Sequence, residues 1–251
     1  MFDIKAIKER GRLAFKANYW PCVLVGLILT IVYAAFGGYS GAQGKEAGEQ
    51  AARDTANAFN GLTSKEQAAV IAIVLSALAV VSIVLILLEI FLLNPLKVGG
   101  CHFFKVNLDD PGTKVGVIKE GFSNYGHTFC TMFLSDLFIC LWSVLFIIPG
   151  FIKMYSYRMV PFLIKDHPEL SATETITMSR RMMNGNKWRA FVMDLSFLGW
   201  IILSAITLGL VGLFWTNPYM YSASAALYKE LSAGEAGAQP VPTVTPEAPT
   251  A

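Results

Sequence analysis

Charge is what this sequence has least of. Lysine, arginine, aspartate and glutamate make up 15% of its 251 residues, where a soluble domain carries about 25%. That deficit, beside 54% hydrophobic residues, excludes an ordinary soluble surface and reads as a membrane protein. A net charge of +2 with no long basic patch excludes a nucleic-acid partner, because nothing would track a phosphate backbone. Cys22, Cys101, Cys130 and Cys140 form no CxxC pair and no Cys/His cluster, so they read as small packing residues. His102, His127 and His167 are scattered, and their spacing provides no metal site. Walker, HExxH and GxSxG motifs are absent as well, which points away from an enzyme and from a cofactor. Gly37-Gly38 and Gly99-Gly100 are isolated pairs, read as close packing or bends. Tyr155, Tyr157, Trp215, Tyr219 and Tyr221 are read as core residues or interface anchors.

Long apolar runs are what the sequence has instead. A bilayer core of about 30 Å takes about 20 apolar residues of helix. Residues 68–93 contain one charge, Glu89; residues 128–152 contain only Asp136; residues 190–228 contain only Asp194. The last run would be about 58 Å long as one helix, so it is expected to turn back near Gly209 and Gly212. Pro149-Gly150 breaks the run before it. The first apolar run, 21–36, follows a polar segment too long for a secretory leader and reads as a retained membrane helix. The reading is an all-α polytopic membrane protein with a single transmembrane domain over 1–231. Its six spans lie near 19–38, 67–95, 128–147, 150–165, 188–207 and 211–231.

Basic residues concentrate in three segments: Lys5 to Lys16, Lys97 to Lys119, and Lys165 to Arg189. By the positive-inside rule these are cytoplasmic, which puts both termini inside. Each contains an amphipathic pattern, giving surface helices near 2–16, 112–125 and 171–184, the last opened by the capping box Ser171-Ala172-Thr173-Glu174. Their cations would meet anionic lipid headgroups, the partner this pattern implies. The tail, 232–251, is rich in Pro, Ala and Thr and reads as disordered.

The same arrangement recurs: a surface helix, then a membrane hairpin, three times. FLSDLFICLW (133–142) and FVMDLSFLGW (191–200) share Phe, Asp, Leu and Trp at the same places, and Asp109-Asp110-Pro111 matches Asp166-His167-Pro168. Asn94-Pro95 and Asn217-Pro218 fall in even-numbered spans and Ile148-Pro149 immediately before one, where proline kinks or starts a helix. The first copy has no aspartate equivalent.

The stretch 142–228, through IIPGFIKMYSYRMVPF, SRRMMNGNKWRAF and DLSFLGW, resembles the bacterial membrane family known as domain of unknown function 975. The resemblance implies a bacterial integral membrane protein, located in the cytoplasmic membrane as a multi-pass chain. It implies no activity.

Five charged residues fall inside the spans, clear of their cytoplasmic ends. Counted from the cytoplasmic ends at 1.5 Å per residue, Asp194 is about 9 Å deep, Arg158 about 10 Å, Glu89 about 12 Å, Asp136 about 13 Å and Lys153 about 18 Å. Two readings follow. Either Arg158, with Lys153, pairs with Asp136 and Asp194 as a fastener, or Glu89, Asp136, Lys153, Arg158 and Asp194 line a polar cavity for an ion, a proton or a lipid headgroup. The expected function is non-enzymatic handling of a lipid or small amphipathic solute; the alternative is a structural or accessory membrane protein that binds a partner.

Overall fold

The computed structural model describes residues 2–37 and 59–236. Most of the Ala/Gly-rich loop after the first apolar run, and the tail from 237 on, lie outside the described residues. Within them the chain is all-α, with no strand. It divides into two units, Met1–Thr30 with Pro95–Ala251, and Ile31–Asn94.

The first unit begins with α1 (Ile4–Ala17), started by Asp3, whose carboxylate accepts the Lys5 N–H at 2.9 Å. Its buried stripe is Ile7, Gly11 and Phe15, a spacing of four that matches the amphipathic pattern. The chain then bends by 104° into α2 (Tyr19–Gly37). Asn18 fastens that corner, donating to Asn107 Oδ1 at 2.6 Å and to the Thr113 carbonyl at 2.9 Å. α1 lies along the last helix, α11 (Asn217–Ala236). The contact needs Gly11, where a Cβ would come within 2.8 Å of the Ala223 backbone.

Next come α4 (Asn94–Asn107) and a 3-10 helix (Val115–Phe122) where the sequence predicts an amphipathic α-helix. Gly99 and Gly121 bring the two backbones together; a Cβ on Gly99 would overlap the Ile118 carbonyl. α5 (Tyr125–Leu145) starts from Asn124, which is left-handed at φ 53°. α6 (Ile147–Ser156) folds straight back on it, with Gly150 against Ser143. α7 (Val160–Asp166) follows with Pro161 in its first turn, a position where the missing N–H costs nothing. The span expected over 150–165 is thus two short helices, broken at residues 157–159.

α8 (Ala172–Met182) carries the predicted capping box: Glu174 accepts the Ser171 N–H at 2.8 Å, and the Ser171 side chain caps the Glu174 N–H. α9 (Lys187–Leu195) and α10 (Leu198–Ile206) form one stretch interrupted at Ser196-Phe197. The expected reversal near Gly209 is present: Leu208 and Gly209 both have positive φ, and the Gly209 N–H closes on the Ser204 carbonyl at 2.7 Å. Gly212 packs on the Ser204 side chain, as Gly150 does on Ser143. α11 continues to Ala236, past residue 231, where the sequence reading ends the last span.

Fully buried Phe15, Met159, Leu163, Met183, Phe197 and Tyr228 centre the main core, each contributing roughly 1.5–3 kcal/mol if an apolar side chain of its size is wholly removed from water. Phe162 stacks on Tyr228 at 4.9 Å, and Phe197 meets Tyr219 edge-on at 4.9 Å. A smaller cluster of Val98, Met132, Tyr157, Val160, Ile164 and Ile176 packs beside α5.

In the second unit, α3 (Ser64–Leu88) starts at a capping box in which Glu66 accepts both the N–H and the hydroxyl of Thr63, at 2.8 and 2.7 Å. None of its residues is buried. A π-helical turn, Glu89–Leu93, follows. An equivalent turn, Gly212–Thr216, precedes α11 in the first unit. Each stands directly before an Asn-Pro pair. The Asn94 N–H reaches the Glu89 carbonyl and the Asn217 N–H reaches the Gly212 carbonyl, both five residues back. Proline has no N–H and its ring crowds the carbonyl four residues back; widening the turn just ahead of it relieves both problems.

Among the described residues three helical stretches are long and apolar enough to cross a membrane: Ser64–Asn107, Tyr125–Leu145 and Lys187–Ile206. The bent pair Ile4–Ala17 and Tyr19–Thr30 makes a fourth if it is taken as one span.

Candidate functional site

The break between α6 and α7 is what positions the site. It frees the Ser156 carbonyl and the Met159 N–H, and the buried Ser179 hydroxyl of α8 serves both, at 2.9 and 3.3 Å. Arg158 projects from that supported turn. Its guanidinium meets Asp194 of α9 with two parallel bonds, Nη1 to Oδ2 at 2.6 Å and Nη2 to Oδ1 at 2.9 Å. Nη2 also donates to Ser224 of α11 at 3.0 Å, and the Tyr155 hydroxyl donates to Asp194 Oδ2 at 2.9 Å. The side chains of Arg158 and Asp194 are only 19% and 29% exposed. Fork-to-fork pairing of this kind is roughly twice as strong as a neutral hydrogen bond.

The pair forms part of the wall of a cavity of about 240 Å³. Asp136 of α5 and Lys97 of α4 line the same space, and Met132, Ile139, Met154 and Val160 supply apolar wall. Its volume is far above the roughly 10–15 Å³ that one water needs. Asp194 therefore lies beside a space large enough for a ligand, with its guanidinium partner already engaged. The two aspartates matched by the sequence repeat face one cavity.

Of the five residues singled out by depth, the fold brings Asp136, Arg158 and Asp194 together. Lys153 is held elsewhere, its ammonium over the rings of Trp142 at 4.9 Å and Tyr157 at 6.0 Å, a cation–π arrangement. Glu89 belongs to the π-helical turn of the second unit. Lys97 and Tyr155 are the cavity residues that sequence reasoning missed. In the sequence Lys97 reads as a topology signal and Tyr155 as a core residue or interface anchor.

A second polar junction had no sequence signal as a site. Asp166 accepts from Lys105 and from the Tyr228 hydroxyl, the latter at 2.6 Å, and so ties α7 to α4 and α11. Asp109 meets Lys229 and, at 3.9 Å, Arg10. These two aspartates are the ones matched in the Asp-x-Pro comparison. Cys22 and Cys101 are buried, whereas Cys130 and Cys140 lie on the exposed side of α5. Among the described residues no three His, Cys, Asp or Glu side chains come together as a metal site.

Apolar helices surrounding a half-buried charge cluster define an all-α protein compatible with membrane embedding. Residues 144–235 match the family described as protein of unknown function (DUF975). The matched stretch runs from the end of α5 through most of α11; it contains Arg158 and Asp194 and begins after Asp136. No curated protein and no solved structure matches the chain.

Proposed function

We propose that the protein is a multi-pass, non-enzymatic protein of the bacterial cytoplasmic membrane that holds the polar end of a lipid or small amphipathic solute in the Arg158–Asp194 cavity. The observation that carries this reading is the cavity itself: a largely apolar space with charged side chains of both signs in its wall. A charge at the middle of a membrane helix costs about 2.5–3.5 kcal/mol on insertion scales. Retaining several around one open space is expected of a binding site more than of packing alone.

The proposed topology has six crossings in three copies of a surface helix and a hairpin, with both termini cytoplasmic. The 104° bend between α1 and α2 supports a surface-to-membrane corner. The Ser143/Gly150 and Ser204/Gly212 contacts support two related hairpins, and the paired π-turns before Asn-Pro support related even-numbered spans. Basic surface segments would face anionic headgroups.

The test is lipid-dependent stability. Full-length protein in neutral detergent should gain several degrees in thermal midpoint on addition of membrane phospholipid, because a ligand at 100 times its Kd stabilises by about 2.7 kcal/mol. Arg158→Gln should lose that gain. No stabilisation, together with no lipid retained in native mass spectrometry, would refute the proposal. The accessory, partner-binding role is the second reading, favoured by the completeness of the Arg158 bonds to Asp194 and Ser224.

A further inference from the structure

The geometry points to a second binding site, at the start of α5, for an oxyanion that brings a proton of its own, of the hydrogenphosphate or phosphate-monoester type. The site is a cavity of about 200 Å³ lined by His102 of α4, Glu120 of the 3-10 helix, Asn124 and Thr128 at the start of α5, and Lys165 of α7. That volume is well above the roughly 10–15 Å³ that one water needs. Among the described residues it shares no lining residue with the Arg158–Asp194 cavity, so the inference stands apart from the role proposed there.

Two buried polar atoms of the lining residues lack a partner among the described residues: the hydroxyl of Thr128, which is wholly buried, and His102 Nδ1. Buried polar groups are ordinarily hydrogen-bonded, and two unmet ones on residues lining one cavity call for a ligand that serves both. Their chemistry narrows what that ligand is. His102 Nε2 stands 2.9 Å from Glu120 Oε2. A carboxylate oxygen only accepts, so Nε2 carries the ring proton, and Nδ1 of the neutral ring is an acceptor. Burial, then the Lys105 charge, holds the imidazole below its ordinary range; Lys165 adds to this, and Glu120 and Asp166 oppose it. Nδ1 therefore asks for a donor.

The remaining wall asks for an anion. The Lys165 ammonium is held in place by the Ser123 hydroxyl at 2.5 Å. The Thr128 hydroxyl can donate, and α5, 21 residues long, brings the positive end of a helix dipole to the same wall. Glu120 is the opposing charge, and its side chain is 54% exposed, so solvent screens it. An ammonium ligand would serve Nδ1 and be repelled by Lys165. Sulfate would serve Lys165 and set a lone pair against Nδ1. Hydrogenphosphate does both, with acceptor oxygens for Lys165 and Thr128 and an O–H for Nδ1.

Calorimetric titration of the full chain in maltoside detergent at pH 7, with inorganic phosphate and with sulfate, tests this. The expected result is at least tenfold tighter binding of phosphate. Thr128→Val deletes the unpartnered hydroxyl and keeps the shape of the side chain. It should weaken phosphate at least fivefold while the thermal midpoint stays at or above that of the wild type, whereas a hydroxyl with only a packing role would leave binding as it was. His102→Phe should bring phosphate and sulfate to equal affinity. Binding of neither anion, sulfate binding as tightly as phosphate, or a Thr128→Val variant that binds phosphate like wild type overturns the inference. Lysophosphatidate and glycerol 3-phosphate, each read as competition with bound phosphate, separate the sources. Lysophosphatidate competing at least tenfold better identifies a lipid headgroup, and equal competition identifies a soluble monoester; either result supports the site.

Discussion

Arg158 and Asp194 are the residues on which binding and stability meet. Removing one partner leaves the other as an uncompensated, half-buried charge, a loss of about 3–5 kcal/mol for a fully buried pair and less here, at 19% and 29% exposure. Asp194→Ala and Arg158→Ala should each lower the thermal midpoint in detergent clearly, and the reciprocal double variant, R158D with D194R, should recover part of it. If the double variant regains stability and lipid response together, the pair is a fastener; stability without lipid response assigns the guanidinium to the ligand. The pair was legible in the sequence because depth along an apolar helix is a simple count, and Asp194 and Arg158 come out at nearly the same level. Lys153 was misjudged by the same count, which measures depth but not azimuth: on α6 it turns toward Trp142 and Tyr157. The Lys105–Asp166–Tyr228 junction was invisible because nothing local couples residues so far apart in the chain.

At the scale of elements, α8 is where local chemistry speaks most directly. The Ser171 side-chain hydrogen bond, reinforced by the Ser171 N–H, holds the Glu174 carboxyl below the ordinary glutamate range. A carboxyl whose folded pKa is depressed adds stability above its unfolded pKa, about 4.3, and that contribution fades as pH falls through the folded value. Wild type should therefore exceed Glu174→Gln in thermal midpoint at pH 6, and the gap should shrink steadily below about pH 4.5. A gap unchanged down to pH 3 would show that the box does not anchor α8. The capping box was readable because it is written in four adjacent residues. The break at 157–159 was not: Pro161 stands two residues beyond it, and the Ser179 hydroxyl that supports it comes from another helix. The 3-10 form of Val115–Phe122 likewise depends on Gly99 of α4, so the amphipathic pattern alone pointed to an ordinary α-helix.

For the whole molecule, the main question is which surface faces lipid. Cys140 lies 15 residues into α5, about 22 Å along the helix, on its exposed side. In membrane vesicles, a variant retaining only Cys140 should resist a membrane-impermeant maleimide and react after denaturation in SDS. Labelling from water in intact vesicles would remove α5 as a span. Composition made the all-α, membrane-compatible class plain at the outset. The number of crossings is harder to read, because short helices joined by breaks, such as α6 with α7, carry the apolarity of a span without its continuity.

The π-helical turn at Gly212–Thr216 has a consequence for chain length. Such a turn is an α-helix containing one residue more than its axial rise accounts for, so side chains beyond it are rotated by about 100° relative to those before it. A helical wheel drawn straight through Asn217 mixes two phases, and an apolar stripe on one side of it continues on a different side of the drawing. A deletion ahead of Pro218 would return the turn to the ordinary repeat, and would at the same time restore the crowding of the Pro218 ring against the carbonyl four residues back.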